Sequence, residues 1–153
     1  MTQTTGGMSP QDMYVGFSTD GSTWTEVSGS SNSVEVGGGE RQVGQANTFG
    51  TTTAIVKYGG KAPITLTIRG VYSEKTTEAY RLAVAAYDGD TNFYVRWSPG
   101  GGDSGDLGYT SSAGKIINPP YPGGTADTPD PILFETTVQV GSVTMAAIGT
   151  AGW

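Results

Sequence analysis

Asp88-Gly89-Asp90-Thr91-Asn92 sets side-chain oxygens at i, i+2 and i+4, the spacing that opens a calcium-binding loop. The rest of such a loop is absent. The position that needs glycine for the sharp turn is Phe93, and the position that needs a bidentate glutamate is Pro99. The stretch therefore reads as a helix end followed by a turn. Gly100-Gly101-Gly102-Asp103-Ser104-Gly105 is glycine-rich, but no lysine follows it and no helix starts there, so it lacks the parts of a phosphate cradle. Fourteen acids would suffice for carboxylate-pair hydrolysis of glycosides. Yet Asp20, Asp88, Asp90, Asp103 and Asp106 fall in turns, where aspartate serves the backbone. The chain has no His and no Cys, which excludes Ser-His and Cys-His nucleophiles, disulfides, thiolate metal sites and the usual zinc sites. No catalytic residue, metal or cofactor is expected, and the role is read as non-enzymatic.

The charge balance narrows the partners. At net −6, with eight basic residues scattered singly from Arg41 to Lys115, the chain has no stripe suited to gripping phosphates. Residues 1–12 are polar and glycine-rich, with neither a basic region nor an apolar core segment, and are expected to form a flexible arm rather than a signal peptide. No apolar run approaches the roughly 20 residues of a membrane span.

The elements that must position these residues are mostly strands. Glycine (25) and proline (8) are abundant in a chain of 153 residues, and Leu is scarce, which favours short strands joined by turns. Residues 13–153 are predicted to form a single domain, an antiparallel β-sandwich or barrel with one flanking helix. Asp20-Gly21 between two β-rich runs marks a hairpin. A short strand is expected around Ser33–Val36, another over Thr53–Tyr58, and Gly59-Gly60 reads as a turn. Ile64, Leu66 and Ile68 alternate with Thr65, Thr67 and Arg69; Phe93, Val95 and Trp97 alternate with Tyr94 and Arg96. Phe134, Thr136, Val138 and Val140 alternate with Glu135, Thr137 and Gln139, and Val143–Ile148 follows a Gly141-Ser142 turn to close the sheet. The segment 98–131 is irregular and Gly/Pro-rich, with a short strand near Lys115-Ile116-Ile117.

One stretch departs from that grammar. Residues 73–89, SEKTTEAYRLAVAAYDG, predict a helix over about 76–88, capped by Thr76 or Thr77 and ended by Gly89. Ala79, Leu82, Ala83 and Ala86 make one apolar stripe. Tyr80, Val84 and Tyr87 make a second, rotated by about 100°. That second stripe either covers the shoulder of the packed helix or meets another subunit. Residues 37–50, GGGERQVGQANTFG, show no period and are expected to be a long loop, either functional or a floppy hairpin tip. Glu40, Arg41, Gln45, Asn47 and Phe49 are its groups suited to docking on another surface.

The stretch TLTIRGVYSEKTTEAYRLAVAAYDGDTNFYVRWSPGG, followed by LGYTSSAGKI and DPILFETTVQVGSVT, resembles the tail tube (major tail) proteins of long-tailed bacteriophages. The resemblance covers about residues 50 to 148. It lies in a strand of the type Ile68-Arg69-Gly70-Val71-Tyr72 before a mid-chain helix and the segment Val95-Arg96-Trp97-Ser98-Pro99-Gly100 after it. It implies a structural protein of the virion tail, assembled in the host cytoplasm, whose hexameric rings stack into a tube through which DNA passes unbound. Its partners would be its own copies and other tail proteins. On that footing 37–50 is the expected inter-ring contact, and Tyr80, Val84 and Tyr87 the inter-subunit helix face. Thr65, Thr67, Glu135, Thr137 and Gln139 are candidates for the lumen lining, since an acidic, Thr-rich wall repels phosphates. Two other readings stand beside it: a decoration or head–tail completion protein, and a sandwich-type carbohydrate- or ligand-binding module with Trp24, Trp97 and Trp153 as stacking platforms.

Overall fold

A computed structural model describes residues 10–50, 52–124 and 129–153. Along the chain, β1 (Tyr14–Ser18) and β2 (Thr25–Glu26) are followed by β3 (Ser31–Gly38), β4 (Arg41–Ala46), β5 (Ile55–Lys61) and β6 (Ile64–Val71). The helix α1 (Ala79–Asp88) precedes β7 (Tyr94–Ser98), β8 (Leu107–Ser111), β9 (Gly114–Ile116), β10 (Leu133–Val140) and β11 (Val143–Ala147). The strands form a five-stranded sheet ordered β11-β8-β7-β1-β2, a four-stranded sheet ordered β3-β6-β10-β9, and a two-stranded ribbon β4-β5. All pairings are antiparallel. The expected sandwich with one helix is the architecture found. Among the described residues no helix is long and apolar enough to cross a membrane.

The two sheets bury the alternating faces legible in the sequence. Leu66, Ile68, Phe93, Val95 and Val138 are wholly inaccessible, and Phe17 meets Phe93 edge to face with ring centroids 4.9 Å apart. Ala79, Ala83 and Ala86 bring α1 down onto this core, where the helix packs against β6 and β9. Small side chains allow that close approach; the transfer of apolar area from water, about 25 cal/mol per Å2, holds it.

Several expectations are corrected. Of the segment 37–50 read as a loop, Arg41–Ala46 is a strand paired with Ile55–Lys61, so Gly59-Gly60 lies within β5 and is not a turn. The segment 98–131 contains β8 as well as β9. After Gly141-Ser142 the chain does not fold back beside β10 but crosses to the other sheet, where β11 pairs with β8. The helix begins at Ala79, not near Thr76, and its N-cap Glu78 makes no side-chain capping bond. The Ser30 hydroxyl, from a distant turn, instead accepts the Ala79 N–H at 3.2 Å. At the other end Gly89 stays right-handed and Asp90 takes the left-handed turn at φ 47°. Lys115 secures it with a 3.1 Å ion pair to the Asp90 carboxylate, so the residues with calcium-loop spacing are a helix terminus. Of the arm expected at 1–12, residues 1–9 lie outside the described residues and Pro10–Asp12 form a 3-10 turn.

The hairpin at Asp20-Gly21 is built as read, although its connection is longer than a two-residue turn. The Asp20 carboxylate accepts the N–H groups of Ser22 (2.8 Å) and Thr23 (2.7 Å) and the Ser18 hydroxyl (2.8 Å). The backbone bonds from Thr23 and Ser22, then the Ser18 bond, hold its pKa well below the ordinary 3.8. A depressed folded-state pKa means the stabilisation is fully present above the unfolded value and is lost as pH falls. Asp20→Ala should therefore be less stable than the parent above 3.8, with a gap that narrows as pH drops below it. Urea midpoints across that range test this, and a gap independent of pH would refute it.

Candidate assembly surfaces

β3 and β4 are one arm of a long hairpin, and β5 and β6 are the other. The joint lies where Gly38 and Gly39 adopt φ of 71° and 74°, which L side chains rarely occupy. A Cβ on Gly38 would also strike the Pro63 carbonyl oxygen. Across the joint the ladder continues through Gly39 N–H to Pro63 O (3.1 Å) and Ala62 N–H to Glu40 O (2.8 Å). The hairpin thus leaves the sandwich as the β4-β5 ribbon. Arg41 and Gln45 lie on β4, Glu40 sits at the joint, and Asn47 and Phe49 belong to the connection beyond β4, with Phe49 fully exposed.

The sequence reading missed the ribbon's apolar content. Val43 faces Tyr58 and Gln45 faces Val56, so Val43, Val56 and Tyr58 share one face. Their exposures are 52%, 42% and 70%, and Ile55 on the opposite face is 50% exposed. The alternation Val43-Gly44-Gln45 against Ile55-Val56-Lys57-Tyr58 was the available signal. Residues 41–61 carry Arg41, Lys57 and Lys61 and no acid, which leaves five bases against fourteen acids in the remainder. The ribbon is a basic, apolar projection from an acidic body.

The five candidate lining residues come together. Glu135, Thr137 and Gln139 of β10 sit opposite Arg69, Thr67 and Thr65 of β6, and so occupy the outer face of the four-stranded sheet. Glu35 of β3 pairs with Thr67, and Lys115 of β9 with Gln139, on the same face. Arg69 donates to Glu135 at 2.6 Å and to Glu35 at 3.0 Å, tying three strands together. The Glu135 bond, then the charge of Glu35, raises its pKa. Such exposed pairs stabilise little, typically under about 1 kcal/mol, but they fix side-chain positions across the face.

Tyr80, Val84 and Tyr87 are half-buried within their own chain. Tyr80 packs edge to face on Tyr72 (4.6 Å between centroids) and Phe134 (5.5 Å), and Tyr87 meets Tyr121 at 6.3 Å. Within the single chain the two tyrosines thus cover the helix shoulder, and all three residues stay partly accessible.

Each of the three tryptophans has an aromatic or cationic partner within the chain. Trp97 is buried and stacks on Tyr109, with ring centroids 5.4 Å apart. Trp24 and Trp153 flank the Arg96 guanidinium at 4.7 and 4.8 Å, with Tyr14 at 5.2 Å. Arg96 also donates to the Tyr14 hydroxyl at 2.8 Å, and the Trp153 N–H donates to Gly102 O at 3.0 Å. Cation–π contact and packing pin the C-terminal residue onto the five-stranded sheet. Among the described residues no group of acids could hold a metal ion.

No protein-family model and no curated protein matches the chain. Solved structures do. A chain of the anti-feeding prophage tube-terminating cap superposes with a TM-score of 0.64 at 11% identity, covering 96% of this chain and 95% of that one. A chain of the sheath–tube complex of an extracellular contractile injection system, PVC, in its extended state gives 0.63 at 14%, covering 97% and 100%. A chain of the tail of an empty GTA particle, refined with C6 symmetry, gives 0.55 at 8%, covering 92% and 100%. The chain shares the fold of tail-like tube assemblies. The likeness extends over nearly the whole chain, beyond the stretch 50–148 that carried the sequence resemblance, and it reaches injection systems as well as a tail.

Proposed function

We propose that the chain is the structural subunit of a tail tube, that six copies form a ring, and that stacked rings enclose a lumen through which DNA passes without specific binding. The observation that carries this reading is the fold likeness over 92% or more of the chain to components of a tube-terminating cap, a sheath–tube complex and a tail. Two of the related particles have six-fold order, a six-fold symmetrised baseplate and the C6 tail. The ribbon suits the contact between rings, because its apolar face has no cover in the single chain. The outer face of β3-β6-β10-β9, rich in Thr, suits the lumen wall: its two bases, Arg69 and Lys115, are each paired with acids, and uncharged hydroxyls offer phosphates little to grip. Tyr80, Val84 and Tyr87 remain partly exposed and are thus available to a contact between subunits.

Negative-stain electron microscopy of the concentrated protein, paired with its solution mass, tests the reading. Six-fold rings or tubes are expected. A monomer at every concentration, persisting after addition of a tail-tip complex, would overturn it. Within such tubes Glu135→Lys, an exposed change, should leave assembly intact and impair DNA passage. Undiminished infectivity of particles carrying it would remove Glu135 from the lumen wall.

A further inference from the structure

Apolar and basic side chains are sorted along the β4-β5 ribbon. At the end farthest from the body, Ala46 pairs with Ile55 and Gln45 with Val56, Phe49 lies in the connection, and residues 46–56 contain no charged side chain. Lys57 comes next, beside Tyr58 and opposite Gly44. Arg41 and Lys61 face each other where the ribbon joins the body. Glu40, the nearest acid, sits at that joint. Among the described residues none of the three bases has an ion-pair partner within the chain. The apolar groups lie on both faces: Val43, Val56 and Tyr58 on one, Ile55 on the other, and Phe49 beyond both. A ribbon that docks on a protein surface needs one apolar face. Apolar groups on both faces and at the tip suit a medium that surrounds them.

We propose that the ribbon anchors the chain to an anionic lipid surface, its tip between headgroups and acyl chains and its bases at the headgroup phosphates. The anchor belongs to a copy whose ribbon is uncovered, and it goes beyond the assembly proposed above. Strands of six and seven residues, at about 3.3 Å per residue, put the tip about 20 Å from the joint. Amphipathic segments at membranes bury their apolar groups about 5–10 Å deep, which takes in Phe49, Ile55 and Val56 and stops near Lys57 and Tyr58. Tyrosine and lysine suit that level, each with an apolar body and a polar end. The rest of the chain has five bases against fourteen acids, so an anionic surface repels it. The Debye length at physiological salt is about 8 Å, however, and a ribbon about 20 Å long carries the tip clear of that repulsion. Nucleic acid fits less well. Its phosphates reward clustered bases, and it offers Phe49 and Ile55 nothing to enter.

Vesicle flotation tests the anchor, at concentrations where sedimentation shows the free chain. Vesicles of phosphatidylglycerol and phosphatidylcholine in equal parts should carry the parent up the gradient, and pure phosphatidylcholine vesicles should carry little of it. Phe49→Ser should weaken binding by about tenfold or more. Lys57→Ser combined with Lys61→Ser should weaken it by about thirtyfold. All three side chains are exposed and outside the core cluster, so the variants keep the fold. Because the chain has no cysteine, a polarity-sensitive dye can be placed at Asn47→Cys on the ribbon or, in a separate variant, at Ser104→Cys on the body. Only the ribbon dye should shift to shorter wavelength with the mixed vesicles. Absence of flotation, or flotation that ignores both sets of substitutions, overturns the anchor and leaves the tube to the microscopy described above. Retention on duplex DNA that exceeds vesicle binding and ignores Phe49→Ser would make the ribbon a phosphate grip, and overturns it as well.

Discussion

Val43→Asp combined with Tyr58→Asp should abolish assembly while leaving the folded body intact. Both side chains lie on the ribbon's exposed apolar face, and neither belongs to the core cluster, so the single chain loses almost nothing when they become acids. In the proposed assembly the same positions are covered. A carboxylate forced into an apolar contact without a partner costs on the order of 3 kcal/mol, or about a hundredfold in affinity. Two such groups in every copy, repeated around a ring, remove the polymer at any accessible concentration. The added acids also oppose the ribbon's positive charge, so any acidic docking surface would repel what it now attracts. The expected measurement is a monomer by sedimentation with a melting temperature close to the parent's. Particles of normal appearance from the double variant would show that this face of the ribbon is not a contact.

Gly70→Ala should lower stability by about 2–3 kcal/mol, the overpacking range for a site that cannot relax. A Cβ on Gly70 would strike the Ser30 carbonyl oxygen and lie 2.7 Å from the Phe134 ring, which is itself braced by Tyr80. Moving Ser30 has a second effect, because its hydroxyl is the group that satisfies the first N–H of α1. One methyl on β6 therefore disturbs the β3 entrance, the sheet and the helix start together. For a chain of this size each kcal/mol shifts the melting temperature by roughly 2–4 °C, so a drop of about 4–12 °C is expected. Ser30→Ala removes the helix bond and the hydroxyl's own bond to Val27 O, without the clash, and should cost about 1–2 kcal/mol. Equal losses in the two variants would mean that the clash contributes nothing.

That coupling shows where sequence reasoning reached its limit. β6, β7 and β10 were legible because each has one face in the core and one in water, which writes a period of two into the chain. The β4-β5 ribbon was not, because it has no inward face: RQVGQA and IVKYGGK are exposed throughout, and Gly59-Gly60 imitates a turn. The start of α1 was misplaced because its N–H partner, Ser30, lies 49 residues away. The tyrosine stripe left two alternatives open for the same reason, since Tyr72, Phe134 and Tyr121 reach it only through the tertiary fold. The polar residues of the candidate lumen wall were individually visible. Their side-by-side placement depends on the β6–β10 register and on Arg69 bridging Glu35 and Glu135, which no local pattern encodes.

The ribbon also bears on how fast polymers would appear. Two strands joined beyond a glycine joint, with both faces in water, are marginally stable by themselves and open locally at far lower free energy than the body unfolds. Amides of Arg41–Ala46 and Ile55–Lys61 should thus exchange with solvent quickly in the free chain, and those of β6 and β10 slowly. In the proposed tube the first copies to meet must order their ribbons, at roughly 1–2 kcal/mol per residue fixed, before neighbours are present to hold them. Later copies add to a template already in place. Growth of this kind shows a lag that seeds abolish, and slowed amide exchange in the ribbon would mark the moment at which a subunit stops being free.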